Sequence, residues 1–264
     1  MATPVNDYLP ITKIPCEGLP EFALVGGDPR RIQRIAERLD GARQIGHNRE
    51  YTTYRGSWKG TDLVASSHGV GGPGAICMFQ ELAIAGVKTF IRVGTCGGTT
   101  QEIDDGDVVV ATGVVREDGV TDQMVPAPYP AFSTPEVVLA LQRAAIESGH
   151  PWHRGVTWTK AVFFPGVLKP PWEEYLQAGV IAVEMELSAL LVMAAMKGLR
   201  AGGILTVDGN PLKRKEQTEY NPHREVVEDG VGKMIEIALD ALHILDGERD
   251  LSPKNRETRP FNFN

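Results

Sequence analysis

GVIAVEMELSALLVMAAMKGLRAGGILTVDG (179–209) carries two apolar, β-branched runs on either side of a helical one. VIAVEMEL (180–187) reads as a strand that continues into the helix SALLVMAAMKGL (188–199), and RAGGILTVDG (200–209) reads as the next strand. Glu184 and Glu186 flank Met185 inside this apolar stretch, where an unpaired carboxylate costs several kcal/mol of desolvation. On a strand, positions two apart share a face, so both carboxylates can point into one cleft beyond the strand end, where a carboxylate suits the vicinal hydroxyls of a sugar. The alternative is an acid pair at a helix N-terminus, favoured by the dipole.

Working outward, the same alternation recurs. EFALVGG (21–27) is a short apolar run ending in glycine, and PRRIQRIAERLD (29–40) has helical spacing at Ile32, Ile35, Ala36 and Leu39. YTTYRGSWKGTDLVASSHG (51–69) reads as a hairpin broken at GSWKGTD. GGPGAICMFQELAIAGV (71–87) gives a Gly/Pro turn and a helix, followed by the strand KTFIRVG (88–94). Downstream, DVVVATGVV (107–115) and RGVTWTKAVFF (154–164) read as strands, TPEVVLALQRAAIESG (134–149) as a helix stopped by glycine, and REVVEDGVGKMIEIALDALHIL (224–245) as a long helix. Strands alternating with helices imply an α/β fold: one domain with a twisted, mostly parallel or mixed central sheet flanked by helices. The expected domain covers 1–249, and DLSPKNRETRPFNFN (250–264) is expected to be a polar, extended tail. Ligands of such sheets sit at the carboxyl ends of the strands.

Composition narrows the function. The 264 residues carry 27 Lys and Arg against 34 Asp and Glu, with no basic block, so neither nucleic acid nor an anionic membrane surface is the expected partner. Cys16, Cys77 and Cys96 are irregularly spaced without a CxxC pair, which argues against a disulfide framework and a zinc site. No run approaches the ~18 apolar residues of a membrane span, and MATPVNDYLPITK lacks a signal pattern. A cytoplasmic protein needing no metal is expected.

Several polar groups fall just after the expected strands. GGDPRR (26–31) sets two glycines and an arginine pair at a helix start, which is either a tight turn with surface arginines or an anion site. SHGVGGPGA (67–75) repeats the glycine-rich turn but lacks GxxxxGK[ST], so it is not a triphosphate loop. In FIRVGTCGG (90–98), Arg92 lies within an apolar strand and needs a partner: an internal ion pair, or a phosphate held in bidentate fashion. Asp208 ends the strand of ILTVDGNP (204–211), where Asp-Gly turn chemistry is also sufficient. The chain has no GxGxxG followed by an acidic residue at the spacing a dinucleotide-binding oxidoreductase requires.

In order, GGDPRR, HNREY, SHGVGGPG, FIRVGTCGG, VREDG, VEMEL and ILTVDGNP resemble the nucleoside phosphorylase family, which contains uridine phosphorylases and hexameric purine nucleoside phosphorylases. The likeness covers about residues 8–245, with HNREY, VREDG and GGILTVDGNPLK most similar to the purine enzymes of apicomplexan parasites. The resemblance implies reversible phosphorolysis of a nucleoside to free base and ribose 1-phosphate, with inorganic phosphate as co-substrate and no cofactor. It implies that Gly27, Arg31, Arg92 and Thr95 bind phosphate, joined by Arg49 from an adjacent subunit. Glu184, Met185 and Glu186 match the ribose motif, Phe163 an aromatic against sugar and base, and Asp208 the acid that assists departure of a purine. To donate a proton near neutral pH, that acid needs its pKa raised by burial.

Three departures qualify the likeness. The uracil-reading Gln and Arg of uridine phosphorylases are replaced by Val167 and Lys169 in FFPGVLK, so a purine substrate is expected, with uridine the alternative. Tyr8 stands where relatives place a His that reaches a neighbour's 5′-hydroxyl, and the segment between Phe164 and Glu173 is short and Pro-rich. A dimer-based homo-oligomer, a hexamer in the purine enzymes, is implied, with Arg49 and Tyr8 crossing the interface. Glu50 lies where some relatives hold a monovalent ion. A non-catalytic nucleoside-binding protein is the remaining reading.

Overall fold

The computed structural model describes residues 7–164, 166–211, 213 and 220–249; the tail expected at 250–264 lies outside them. The first strand, β1 (Phe22–Gly26), is buried throughout. It runs into α1 (Pro29–Ala36), whose start is fixed by Pro at the first turn and by Asp28, which accepts from the Arg30 N–H at 2.8 Å. The helix stops four residues before the expected end: Arg38 and Leu39 turn back onto the Ile35 and Ala36 carbonyls, and Asp40 opens β2 (Asp40–Asn48). That strand gives no sequence signal, because it is a polar, largely exposed edge without apolar alternation. It pairs with the hairpin strand β3 (Tyr51–Trp58), which returns through β4 (Thr61–Ser67).

The chain continues through α2 (Gly72–Ala85), β5 (Thr89–Gly98), β6 (Val108–Glu117), the short β7 (Ala131–Phe132) and α3 (Pro135–Ser148). Next come β8 (Trp152–Lys160), α4 (Trp172–Gln177), β9 (Val180–Glu184), α5 (Leu187–Met196), β10 (Arg200–Gly209) and α6 (Glu225–Gly247). Two expectations shift here. Strand β8 ends at Lys160 instead of 164, leaving Phe163 and Phe164 outside the sheet, and β9 ends at Glu184, so Glu186 does not share a strand face with it. The six-residue α4, in the Pro-rich stretch, is too short to show a periodic pattern.

The sheet is mixed. β5 is its hub, taking β1 and β10 as parallel neighbours and the end of β9 as an antiparallel one. Because β10 also pairs with β6, β6 with β8 and β8 with β9, the pairings close a five-stranded ring, β5–β10–β6–β8–β9. From β5 the remainder extends as an open sheet, β1–β4–β3–β2. α1, α3 and α6 cover one face, and α2 with α5 cover the other, each burying its own apolar cluster. Fully burying one Leu, Ile or Met side chain is worth about 1.5–3 kcal/mol, so the stripe of Met234, Ile235, Leu239 and Leu242 makes α6 a main support of the first layer. Gly203 on β10 lets α5 approach closely: a Cβ there would lie 2.6 Å from Leu187 Cδ2. That contact fixes the first turn of α5, just after the acidic pair.

Candidate functional site

A cavity of about 860 Å3 opens beyond the ends of β1, β5, β9 and β10. Its lining brings together nine of the residues singled out in the sequence. They are Gly27, Arg31, Arg92 and Thr95, the run Glu184, Met185 and Glu186, and Phe163 and Asp208. Tyr8 and Arg49 are not part of it. Tyr8 is exposed and pairs only with Pro15 as an isolated bridge, while Arg49 occupies the tip of the β2–β3 turn in a left-handed conformation, φ 54°.

The acidic pair divides its work. Glu184, fully buried, accepts the Thr159 hydroxyl on Oε1, and on Oε2 the backbone N–H groups of Glu186 at 2.8 Å and Leu187 at 2.9 Å. It is thus the acid at a helix N-terminus, as one of the two sequence readings has it. Glu186 sits at the N-cap position of α5 and accepts the Gly71 N–H at 2.6 Å, so the glycine-rich turn of SHGVGGPGA donates to an anion of the chain itself. Its other oxygen bonds Arg92 Nη2, which also lies 3.2 Å from Glu184. Further contacts hold this arrangement: Thr159 Oγ1 accepts the Ser188 N–H at 3.1 Å, and the Ser188 hydroxyl donates to Asp118 of VREDG. Asp118 in turn accepts the N–H groups of Val120 and Thr121, at 2.7 and 2.6 Å.

Charge at the centre is balanced unevenly. Burial opposes ionisation of every member, but Arg92, with the Gly71 N–H, holds the Glu186 carboxyl below its ordinary value. Burial leaves Glu184 raised despite Arg92, as expected when two carboxylates share one cation. For Arg92 the two carboxylates outweigh burial and raise its pKa. Arg31 is lowered, chiefly by burial, with Asp28 opposing and Arg92 adding to the effect.

The donor inventory of the arginines is not used up. Among the described residues, Arg92 Nε and Nη1 and Arg31 Nε are buried without a hydrogen-bond partner; Arg31 Nη1 reaches the Val93 carbonyl at 3.3 Å. An unmatched buried donor costs about 1–3 kcal/mol, so guanidinium groups left in this state beside an open cavity suit a bound anion. Gly94 makes room for them: a Cβ there would lie 1.7 Å from Arg92 Nη1. His68, fully buried beside this cluster, has Nδ1 2.8 Å from the Gly69 carbonyl, and burial followed by the Arg92 charge pushes its pKa down to about 3, so it stands as a neutral imidazole.

Elsewhere in the lining, the Tyr220 hydroxyl donates to Asp208 Oδ2 at 2.7 Å, and the Tyr220 ring lies 5.8 Å from that of Phe163. The wall is completed by Trp172 and Lys160, whose ammonium sits over the faces of Trp158 and Trp172 at 5.1 and 5.2 Å. The cavity therefore offers cationic donors, an ionised carboxylate, and an aromatic surface with a further acid.

The model of the phosphorylase superfamily matches residues 21–243, a span that contains every strand. The chain belongs to the phosphorylase superfamily. It is 36% identical over 231 residues to a guanosine phosphorylase of Halorubrum lacusprofundi, covering 85% of this chain and 94% of that one. To a uridine phosphorylase of Escherichia coli it is 35% identical over 241 residues, covering 84% and 95%. The crystal structure of a purine nucleoside phosphorylase from Toxoplasma gondii in complex with immucillin-H superposes with a TM-score of 0.88 at 30% identity, covering 94% of this chain and all of that one.

In this superfamily member, sequence reasoning passed over Tyr220, Lys160 and Trp172. Tyr220 lies 12 positions beyond Asp208 in a polar stretch, with no periodic pattern to direct attention to it. Lys160 and Trp172 carried a readable signal, a cation and an aromatic on either side of the segment that holds Phe163, but only the pairing in space gives them meaning.

Proposed function

We propose that the protein is a purine nucleoside phosphorylase, catalysing reversible phosphorolysis of a purine ribonucleoside to the free base and ribose 1-phosphate. The observation that carries this reading is the set of unpartnered buried guanidinium donors of Arg31 and Arg92, in the same cavity as the ionised Glu186 and the buried Asp208. Arg31, Arg92, Thr95 and the amide of Gly27 seat inorganic phosphate, and Glu186 accepts hydrogen bonds from the ribose 2′- and 3′-hydroxyls over Met185. Glu184 orients Glu186 through its backbone. A phosphate oxygen forms the new bond to C1′ as the C1′–N9 bond breaks, and the base leaves with that electron pair. Ribose passes through an oxocarbenium-like state, which the neighbouring phosphate stabilises. Asp208 gives its proton to N7 of the departing purine, and Phe163 packs on sugar and base.

A purine is favoured over uracil by two features: Asp208 in the base end of the cavity, and Val167, which is fully exposed away from it and carries no amide. Similarity to both guanosine and uridine phosphorylases keeps pyrimidines in the test. Arg49 and Tyr8 complete the site of a neighbouring subunit in a dimer-based hexamer, a reading supported by their position outside their own cavity. No helix among the described residues is long and apolar enough to cross a membrane. The absence of a basic block and of a CxxC pair supports the reading that the enzyme acts in the cytoplasm on small molecules. No cofactor is required.

The test is an absorbance assay with inosine, guanosine, adenosine and uridine, each with and without phosphate. Base release from a purine nucleoside only when phosphate is present is expected. Release from none of the four sinks the reading, and release from uridine alone transfers it to a uridine phosphorylase. Sedimentation of purified protein checks the hexamer.

A further inference from the structure

We infer that Lys160 is a specificity-determining residue, its ammonium donating a hydrogen bond to an exocyclic carbonyl oxygen of the leaving base, so that 6-oxopurine nucleosides are cleaved in preference to adenosine. This rests on the phosphorolysis reading and deepens it. Three cations line the cavity, and two have partners: Arg92 is paired with Glu184 and Glu186, and Arg31 reaches the Val93 carbonyl. Lys160 lines it too, yet among the described residues its ammonium has neither a hydrogen bond nor an ion pair. It lies over the rings of Trp158 and Trp172, 5.1 and 5.2 Å from their centroids.

The carboxylate placed to neutralise it is engaged elsewhere. Glu117 is the register partner of Lys160 in the β6–β8 pairing, but its Oε2 accepts the Trp158 indole N–H at 3.0 Å and its Oε1 the Tyr175 hydroxyl at 2.6 Å. Trp158 is fully buried and meets Trp172 and Tyr175 edge-on, with centroids 5.0 and 4.9 Å away. Glu117 therefore fixes the aromatic platform under the ammonium and leaves the ammonium itself uncapped. Burial draws the Lys160 pKa down against the pull of Glu117, as for a cation short of both water and a close counter-charge. The indole faces attract a cation but present no oxygen or nitrogen acceptor, so its N–H donors remain for a ligand in the cavity.

Chemistry selects the ligand atom. In the proposed complex the arginines hold phosphate and Glu186 the ribose hydroxyls, which leaves the base. An ammonium can only donate, so it matches the carbonyl oxygen of hypoxanthine or guanine and opposes the exocyclic amine of adenine, itself a donor. As the C1′–N9 bond breaks, part of the charge on a departing 6-oxopurine spreads to that oxygen, and the contact strengthens toward the transition state.

The experiment is kcat/KM for inosine and for adenosine at saturating phosphate, in the wild type, Lys160→Met and Lys160→Arg. Methionine keeps an unbranched stem on the two indoles without the charge, and arginine keeps the charge and stacks on the same faces. The wild type is expected to prefer inosine, and Lys160→Met to lose about tenfold or more of that preference through a lower kcat/KM for inosine, with the KM for phosphate unchanged. Lys160→Arg is expected to retain more of the preference than Lys160→Met. A wild type that cleaves adenosine as readily as inosine, or a preference that Lys160→Met leaves in place, overturns the inference and reduces the ammonium to a clasp on two indoles. Should Lys160→Met fail to fold, Lys160→Gln takes its place with the same expected fall. A wild type that releases base from neither purine nucleoside defeats the functional reading itself, and the inference falls with it.

Discussion

Arg92 and Glu186 hold one another at the centre of the cavity, with only 4% and 5% of their side chains exposed. Each neutralises the other's charge, so on the proposed reading phosphate and ribose would bind at the two halves of a pair that must loosen to receive them. Arg92→Lys keeps the charge but loses the fork. Charge-assisted hydrogen bonds are worth about 1.5–3 kcal/mol, so the KM for phosphate is expected to rise at least tenfold. Initial rates against phosphate concentration check this, and an unchanged phosphate dependence takes Arg92 out of the anion site.

Gly94→Ala tests the space behind that arginine. The added methyl would sit 1.7 Å from Arg92 Nη1, so the guanidinium must swing away. Overpacking of this kind costs about 1–3 kcal/mol, and both a lower melting temperature and a weaker phosphate response are expected. Gly247→Ala, where a Cβ meets nothing within 4 Å, serves as the control. If both variants keep wild-type phosphate kinetics, the steric account of Gly94 fails.

Asp208→Ala is expected to lower kcat/KM for purine nucleosides by about 10²–10⁴-fold, the range of general acid catalysis. Phosphate binding, followed as protection against thermal unfolding, should stay near wild type. Parallel loss of both would assign Asp208 to the architecture of the cavity and not to the chemistry.

His68 gives a stability prediction whose sign follows from linkage. Its folded pKa of about 3 lies below the ordinary 6.5, so as pH falls the unfolded chain takes up the proton first and the folded state loses ground. The stability is fully present above pH 6.5 and drains away below it, by at most about 1.4 kcal/mol per pH unit. His68→Asn, which keeps a donor near the Nδ1 position, should unfold in urea with a shallower pH dependence between about pH 6.5 and 5. Identical slopes in the two proteins would contradict the buried neutral imidazole.

Where burial writes itself into the sequence, the reading succeeded: β1, β5, β6 and β10 each carry a buried apolar run, and α3 is bracketed by Thr134 and Gly149. Where an element answers to something other than burial, it was invisible. β2 is an exposed edge, and α4 buries no residue. The acidic pair shows the same limit at the level of chemistry. Spacing brought Glu184 and Glu186 to attention, yet their different tasks come from the chain turning at Met185 into α5, which no period-two count contains. Arg92 was recognisable as a cation in need of partners, but that its partners are these two carboxylates is a property of the closed ring.

The ring also has a history in time. β5 ends at residue 98, while the strand that seals its side, β10, begins at residue 200, about a hundred residues later in synthesis. At about 5–20 residues per second, the nascent chain carries a bare, apolar strand edge for on the order of ten seconds after β5 leaves the ribosome. The architecture that seats Arg92 so firmly in the finished molecule therefore makes the half-made one the stage most exposed to misassembly, and the one at which a holding chaperone has most to do.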